Sequence, residues 1–267
     1  MLTTSLFALL SLGGCISEER EQNIGDSMAS EINPHLPLID EPLLNAYLHR
    51  VGQTLGEVSE RPNLDYHFYL IDTDAVNAFA LPGGHIYVTR GLVERTRTGA
   101  EFAGVLAHEI GHVAARHGVD KLQRQLRTGS LVNVLYDMIL GGEPTLLQEN
   151  ALQLANVVWS ARHSRRDEQE ADRLAIRYLV RAGAEPAAVI TLLQSLLVEE
   201  QGQGVGAVDV WFSTHPLTSD RIRDAERSID RLVSEEEQLT DLDLDAFDAF
   251  RTLVTNAPTG QPMNVEW

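Results

Sequence analysis

The chain has 267 residues, 43% of them hydrophobic and 22% charged, which excludes a disordered or collagen-like protein and allows a substantial core in one large domain or two small ones. Its 39 acidic and 21 basic residues give a formal net charge of −18. This acidity makes nucleic acid and anionic lipid headgroups poor partners for the folded protein.

The N-terminus has the features of a bacterial lipoprotein signal. Residues 1–14 form an apolar run that ends in small residues and is too short to span a bilayer. Leu12-Gly13-Gly14-Cys15 resembles a lipobox, in which cleavage leaves the cysteine as a lipidated first residue. We therefore expect a signal peptide at 1–14 and lipidation of Cys15, which is the only cysteine. The alternative is an apolar N-terminus with an incidental cysteine, since no Lys or Arg precedes the run.

The first half of the chain predicts two helices and a small sheet. Residues 17–32 are polar and compatible with a helix, and residues 33–38 form a connector with two prolines. Asp40 and Pro42 mark the start of a second helix that continues to about Val58. Alternation over 66–71 predicts a strand, and residues 77–92 predict a hairpin that turns at Pro82-Gly83-Gly84 and returns at 85–88.

The second half of the chain is almost wholly helical in pattern. Thr98 and Glu101 form a capping box that opens a helix, which we expect Gly118 to end. Further helices are predicted at 119–140, 145–161, 164–182, 186–200, 218–235 and 243–254. The pattern predicts a mainly helical α+β fold, with a tether at 15–39, one domain at 40–254 and a polar tail at 255–267.

The motif His108-Glu109-x-x-His112 lies in the capped helix. Both imidazoles lie on one helix face and can reach one metal ion, while Glu109 is close enough to touch a metal-activated water without coordinating. This is the spacing of zinc peptidases, in which the glutamate is the general base. The rest of the helix is apolar and should be buried. The alternative is a helix with two solvated histidines and an ion-paired glutamate.

A catalytic zinc site needs a third protein ligand. Glu168 projects into the apolar stripe of the helix predicted at 164–182, and Asp172 lies one turn later, where it can orient a histidine through its free ring nitrogen. The alternative for Glu168 is an internal salt bridge with an arginine. His117 is the other candidate, but its position beside Gly118 favours a structural role at the helix C-terminus.

Four sequence blocks occur in order between about residue 20 and residue 235: 77–85 (NAFALPGGH), 108–112 (HEIGH), 164–172 (SRRDEQEAD), and Thr214-His215-Pro216 with Arg221. Together they resemble the HtpX/BepA-like zinc metallopeptidases, which are gluzincin-type relatives of the CAAX prenyl endopeptidases and the mitochondrial Oma-type proteases. The resemblance implies one Zn²⁺ per chain, bound by His108, His112 and Glu168. It also brings Arg221 close to the site, although a surface or ion-pairing role is the simpler reading of that residue.

His215 precedes a proline, which restricts its backbone to an extended geometry. We expect it to stabilise the oxyanion or, as the resemblance implies, to occupy the fourth zinc position and hold the enzyme latent. A satisfied loop histidine is the alternative.

We also expect the strand at 85–88 to be an edge strand beside the zinc that pairs with an extended substrate. Its substrate contacts would come from Gly83, Gly84, His85, Ile86 and Tyr87. The alternative is that this strand only covers the core.

These features predict a zinc-dependent endopeptidase that is lipid-anchored in the periplasm, at the outer membrane of a Gram-negative bacterium. The resemblance implies unfolded or misassembled envelope proteins as substrates and a role in protein quality control. Two alternatives remain open. One is a non-hydrolytic, chaperone-like peptide-binding protein with a structural zinc, and the other is a protease that stays latent until a partner displaces His215.

Overall fold

The computed structural model describes residues 16–128, 163–203, 209–216 and 219–258. Its strands are β1 (His67–Ile71), β2 (Ala78–Ala80) and β3 (His85–Thr89), with 3-10 turns at Asn33–His35 and Pro82–Gly84. Its helices are α1 (Glu18–Ile32), α2 (Pro42–Glu57), α3 (Arg90–Arg95), α4 (Gly99–Ala114), α5 (His117–Thr128), α6 (Arg165–Arg181), α7 (Ala188–Gln203), α8 (Asp209–Thr214), α9 (Ser219–Glu235) and α10 (Phe247–Asn256). The predicted α+β, mainly helical class is confirmed.

Several sequence predictions lie outside the described residues. These are the signal peptide at 1–14, the lipidation site Cys15, the helix at 145–161, the second part of the helix at 119–140 and most of the polar tail. Two short helices, α3 and α8, had no counterpart among the predicted elements. Within the part of the chain that is described, no helix is long and apolar enough to cross a membrane.

The sheet has the strand order β1-β3-β2. β2 and β3 form the predicted antiparallel hairpin, with Ala78 opposite Val88, while β1 pairs with β3 in parallel, with His67 opposite His85. The prediction that residues 85–88 form an edge strand is therefore wrong, because both backbone edges of β3 are paired. The hairpin has a local signal in the sequence, but the parallel pairing joins β1 to a strand that is not the next one along the chain. Among the described residues, no other strand pairs with the outer edge of β2.

The two faces of the sheet pack against different helices. Phe68, Ile86 and Val88 belong to the main core, which also contains the apolar residues of α2 and α4. Phe79 and Tyr87 belong to a second core with residues of α1. Because successive side chains of a strand point to opposite faces, β3 directs Ile86 toward α4 and His85 toward α1.

The helix α4 begins as predicted and ends earlier than predicted. The Thr98 hydroxyl accepts a hydrogen bond from the Glu101 N–H at 3.1 Å, which caps the helix. The helix ends at Ala114, Arg116 adopts a left-handed backbone with φ of 60°, and α5 begins at His117. The prediction that Gly118 ends α4 is therefore wrong. The Arg116 side chain pairs with the buried Glu21 of α1 at 2.9 Å, a tertiary contact that has no local signal in the sequence.

The helices α4 and α6 cross in close contact. Gly111 allows this approach, since a Cβ atom there would lie 3.1 Å from the carbonyl oxygen of Ala171. A reciprocal capping box between Ser164 and Asp167 fixes the start of α6. The crossing brings the second histidine of α4 and the buried carboxylate Glu168 of α6 together at the centre of the protein.

Candidate metal centre

Two histidines of α4 and a glutamate of α6 converge on one point. His108 Nε2 lies 3.1 Å from His112 Nε2 and 3.5 Å from Glu168 Oε2, and His112 Nε2 lies 3.4 Å from Glu168 Oε1. Zinc bonds of about 2.0–2.1 Å in a tetrahedron put the ligand atoms about 3.3 Å apart. The three predicted ligands therefore have the donor chemistry and the spacing that a zinc ion requires.

His215 occupies a fourth corner of the same cluster. Its Nδ1 lies 3.3 Å from His108 Nε2 and 3.2 Å from Glu168 Oε1. Its Nε2 is 3.4 Å from the Ala78 carbonyl oxygen of β2, and Trp211 stacks on the ring with centroids 4.4 Å apart. The four side chains thus form a buried four-donor set, and the imidazole of His215 is held from both sides.

Glu109 lies on the far side of the His215 ring. Its side chain is completely buried, and His215 Nε2 lies 3.6 Å from Glu109 Oε1. Within the described residues neither carboxylate oxygen has a hydrogen-bond partner. Burial raises the pKa of Glu109 above its usual value. Buried carboxylates without hydrogen bonds are rare in folded proteins. A general base, which takes a proton from water or substrate, is a role that accounts for one.

Asp172 and Arg221 support the ligands from behind. Asp172 Oδ1 lies 3.1 Å from His108 Nδ1, while Arg221 donates to both oxygens of Asp172 at 2.7 and 2.8 Å. Arg221 Nη1 also lies 2.7 Å from Glu168 Oε2 and 3.1 Å from the Pro216 carbonyl oxygen. Glu168 therefore both faces the histidines and forms an internal ion pair with an arginine. The arginine is Arg221.

These contacts set the protonation of the cluster. Burial by itself raises the pKa of Glu168 and Asp172, but the charges of His215 and Arg221 on Glu168, and of Arg221 and His108 on Asp172, hold both below their usual range. Burial lowers the pKa of His108, yet its hydrogen bonds to Asp172 and Glu168 outweigh this and raise it to about 10. Metal binding at His108 must therefore release a proton.

Two further histidines contact His112, and sequence analysis assigned neither to the site. His117 Nδ1 lies 2.9 Å from His112 Nδ1, and the His163 ring lies 3.9 Å from the His112 ring. The prediction that His117 sits at a helix C-terminus is wrong, because α5 begins there. Burial lowers the pKa of His112, His117 and His163, so these imidazoles are neutral. The Nδ1 of a neutral His117 can accept a hydrogen bond from the Nδ1–H of His112. The Nε2 of His112 is then free to bind a metal.

The predicted substrate residues do not form an exposed edge. Gly83 and Gly84 have positive φ values of 78° and 97°, and a Cβ there would lie 3.0 Å from the backbone of Gln22 and of Asp65 respectively. The glycine pair therefore serves close packing inside the protein. The other members of the set are buried in the central strand: His85, Ile86 and Tyr87. The Asn77 carbonyl and the Leu81 N–H bond to β3. Because the bonding direction alternates along a strand, the N–H and C=O groups of Ala78 and Ala80 point to the outer edge of β2.

The chain is similar to a peptidase family and to several named proteases. Residues 42–229 match the model of peptidase family M48. The chain is 33% identical over 222 residues to a beta-barrel assembly-enhancing protease of Yersinia pestis and 32% identical to that of Escherichia coli K12, in each case over 80% of this chain and 45% of the relative. It is 31% identical over 180 residues to the mitochondrial metalloendopeptidase OMA1 of Arabidopsis thaliana, over 67% of this chain and 35% of that protein. The chain thus spans less than half the length of these curated relatives.

Proposed function

The chain belongs to the metallopeptidase family M48, and on this premise we propose that it is a zinc-dependent endopeptidase with His108, His112 and Glu168 as its zinc ligands. The observation that carries the proposal is the set of donor distances of 3.1 to 3.5 Å among these side chains, next to a buried Glu109 whose oxygens have no hydrogen-bond partner within the described residues. A structural zinc site has no need of a buried carboxylate without hydrogen bonds beside it.

The residues around the ligands have separate tasks in hydrolysis. Zinc in this site supplies a Lewis acid that lowers the pKa of water and polarises the scissile carbonyl. Glu109 takes the proton of the attacking water and delivers it to the leaving nitrogen. Asp172 holds the His108 ring through Nδ1, and His117 does the same for His112, so that the Nε2 atoms of both histidines would be free to hold the ion.

An extended polypeptide is the substrate that fits the surrounding strands. Once His215 leaves the Ala78 carbonyl oxygen, the outer edge of β2 at Ala78 and Ala80 can bond to the main chain of a substrate, which gives affinity with little sequence preference. This edge, rather than residues 83–87, is the proposed substrate contact. Unfolded or misassembled envelope proteins fit such recognition, in line with the name of the beta-barrel assembly-enhancing relatives. The lipobox-like Cys15 supports a lipid anchor that would hold the enzyme in the periplasm, at the outer membrane.

A closed state of this enzyme is the second part of the proposal. The His215 ring stands between the donor cluster and Glu109, where the attacking water and the scissile carbonyl must enter. His215 therefore blocks the site until it moves, and the contacts of its ring with Ala78 and Trp211 hold it there. In the open state the same imidazole is near enough to the reacting carbonyl to stabilise the oxyanion.

Cleavage and metal content, measured together, test the endopeptidase. An unfolded protein such as casein is incubated with the wild type, Glu109→Gln and Glu168→Ala, and bound zinc is counted for each. We expect cleavage by the wild type, wild-type zinc content without cleavage for Glu109→Gln, and, for Glu168→Ala, loss of the zinc ion held by His108, His112 and Glu168 together with loss of cleavage. Equal peptide binding by the wild type and Glu109→Gln, with no cleavage by a zinc-loaded wild type, would favour the non-hydrolytic binding protein.

The His215→Ala variant tests the closed state. If His215 blocks the site, its removal raises the rate of cleavage while zinc stays bound to the other three ligands. If His215 acts only on the oxyanion, its removal lowers the rate by about 10²–10³. Trp211→Leu is the companion variant, because it loosens the His215 ring and leaves the imidazole in place; it should raise the rate only in the first case.

A further inference from the structure

A second cluster of metal-ligand side chains lies on the opposite face of the sheet from the buried cluster. Asp26 of α1, His67 of β1 and His85 of β3 each offer one ligand atom, and these atoms lie within 4.8 Å of one another. His85 points to the α1 side of β3, whereas Ile86 and Val88 point toward α4. The two clusters are therefore separated by the sheet, and nothing in the proposed hydrolysis uses the second one.

The buried member of this cluster, His85, has a carboxylate beside one ring nitrogen and a hydroxyl beside the other. His85 Nε2 lies 2.9 Å from Asp26 Oδ1, close to the separation of about 3.3 Å between two ligands of one zinc ion. The opposite ring nitrogen, Nδ1, lies 3.1 Å from the Tyr69 hydroxyl. Metal-bound histidines in proteins usually have such a polar partner on the second nitrogen, which fixes the ring.

The other two members face solvent, which gives an ion a path of entry. The His67 ring stacks on the His85 ring with centroids 4.7 Å apart and an interplanar angle of 19°. The side chains of His67 and Asp26 are 39% and 64% exposed. Asp65 lies just outside the group, with Oδ2 3.7 Å from His67 Nε2, and adds negative charge beside the site. Water can fill the coordination positions that the protein leaves open.

We propose that Asp26, His67 and His85 form a second, peripheral binding site for a divalent transition metal, with zinc as the ion that two imidazoles and one carboxylate suit well. The three ligands come from α1, β1 and β3, so the ion joins the N-terminal helix to two strands of the sheet. The site is structural rather than catalytic. Binding of the ion stabilises the packing of α1 on the sheet and leaves the buried cluster unchanged.

Zinc stoichiometry of the full chain tests this site in a factorial set of variants. The protein is stripped with a chelator, reloaded with zinc, desalted and assayed for metal per chain. His67→Phe keeps a ring on His85 but removes a ligand, and Asp26→Asn keeps an acceptor for His85 but removes the carboxylate. Asp65→Asn is the control, because it removes a neighbouring charge outside the group. We expect two zinc ions for the wild type and Asp65→Asn, and one for each of the other two variants.

The same measurement separates the peripheral site from the proposed catalytic site. Glu168→Ala should retain one zinc, and Glu168→Ala combined with His67→Phe should retain none. In the Glu168→Ala background, zinc at about 100 times its dissociation constant should raise Tm by roughly 5–10 °C, and this rise should vanish when His67→Phe is added. Equal zinc content in the wild type, His67→Phe and Asp26→Asn would overturn the peripheral site. A wild type that holds a single zinc, lost in His67→Phe and kept in Glu168→Ala, would instead contradict only the buried catalytic site.

Discussion

Arg221 is the residue whose replacement tests the electrostatic design of the centre most severely. Its side chain is 1% exposed and donates to Glu168, Asp172 and the backbone at Pro216. Arg221→Met keeps most of the length and removes the charge. The two carboxylates then remain buried without their shared cation, which is far more costly than the loss of a surface ion pair.

The size of the effect follows from this burial. Removing one partner of a buried ion pair costs about 3–5 kcal/mol. For a protein of this size each kcal/mol lowers Tm by about 2–4 °C, so Arg221→Met should lower it by roughly 6–20 °C. The melting curve is recorded on zinc-free protein, since a bound cation would replace part of the lost charge.

Arg223→Met is the matched control on the same helix. Arg223 is 56% exposed and pairs with the exposed Asp220, so its loss should cost under about 1 kcal/mol. A drop in Tm for Arg221→Met that is no larger than the drop for Arg223→Met would refute the view that Arg221 holds the buried carboxylates.

Two other predictions concern packing and pH. Gly25→Ala should destabilise the protein by about 1–3 kcal/mol in denaturant titrations, because a Cβ at Gly25 would lie 1.9 Å from the carbonyl oxygen of Pro82. Gly118→Ala is the control, since a Cβ at Gly118 would lie 3.6 Å from Pro82, an ordinary contact distance. It should change the free energy of unfolding by under about 1 kcal/mol. In zinc-free protein the hydrogen bonds to Asp172 and Glu168 raise the pKa of His108 to about 10, against about 6.5 in the unfolded chain. Protonated His108 therefore stabilises the fold fully below pH ~6.5, and this contribution is lost as the pH rises toward 10. The stability difference between the wild type and His108→Gln should therefore shrink over that pH range, and a constant difference would contradict the raised pKa.

Helical periodicity explains why the sequence located so much of the centre. The four-residue spacing of His108 and His112 depends only on local helix geometry. Glu168 stands out because it is a carboxylate on the apolar stripe of an amphipathic helix, where burial without compensation is costly. The structure brings these three residues together, with Asp172 behind His108.

The features that sequence analysis missed depend on contacts between distant parts of the chain. The parallel pairing of β1 with β3 makes β3 the central strand, and no local sequence pattern predicts this pairing. Arg116 takes a left-handed conformation without being a glycine, held by Glu21 from nearly 100 residues earlier in the chain. His163 reaches His112 only through the tertiary fold, and its position before a helix cap is the sole hint in the sequence.

Anomalous diffraction from crystals of the zinc-loaded chain, recorded on both sides of the zinc absorption edge, tests the metal centre most directly. The predicted result is an anomalous peak at about 2.0–2.2 Å from a side-chain nitrogen or oxygen of each of His108, His112 and Glu168. In the closed state His215 is the fourth ligand. An active, zinc-loaded protein with no anomalous peak between α4 and α6 would contradict it.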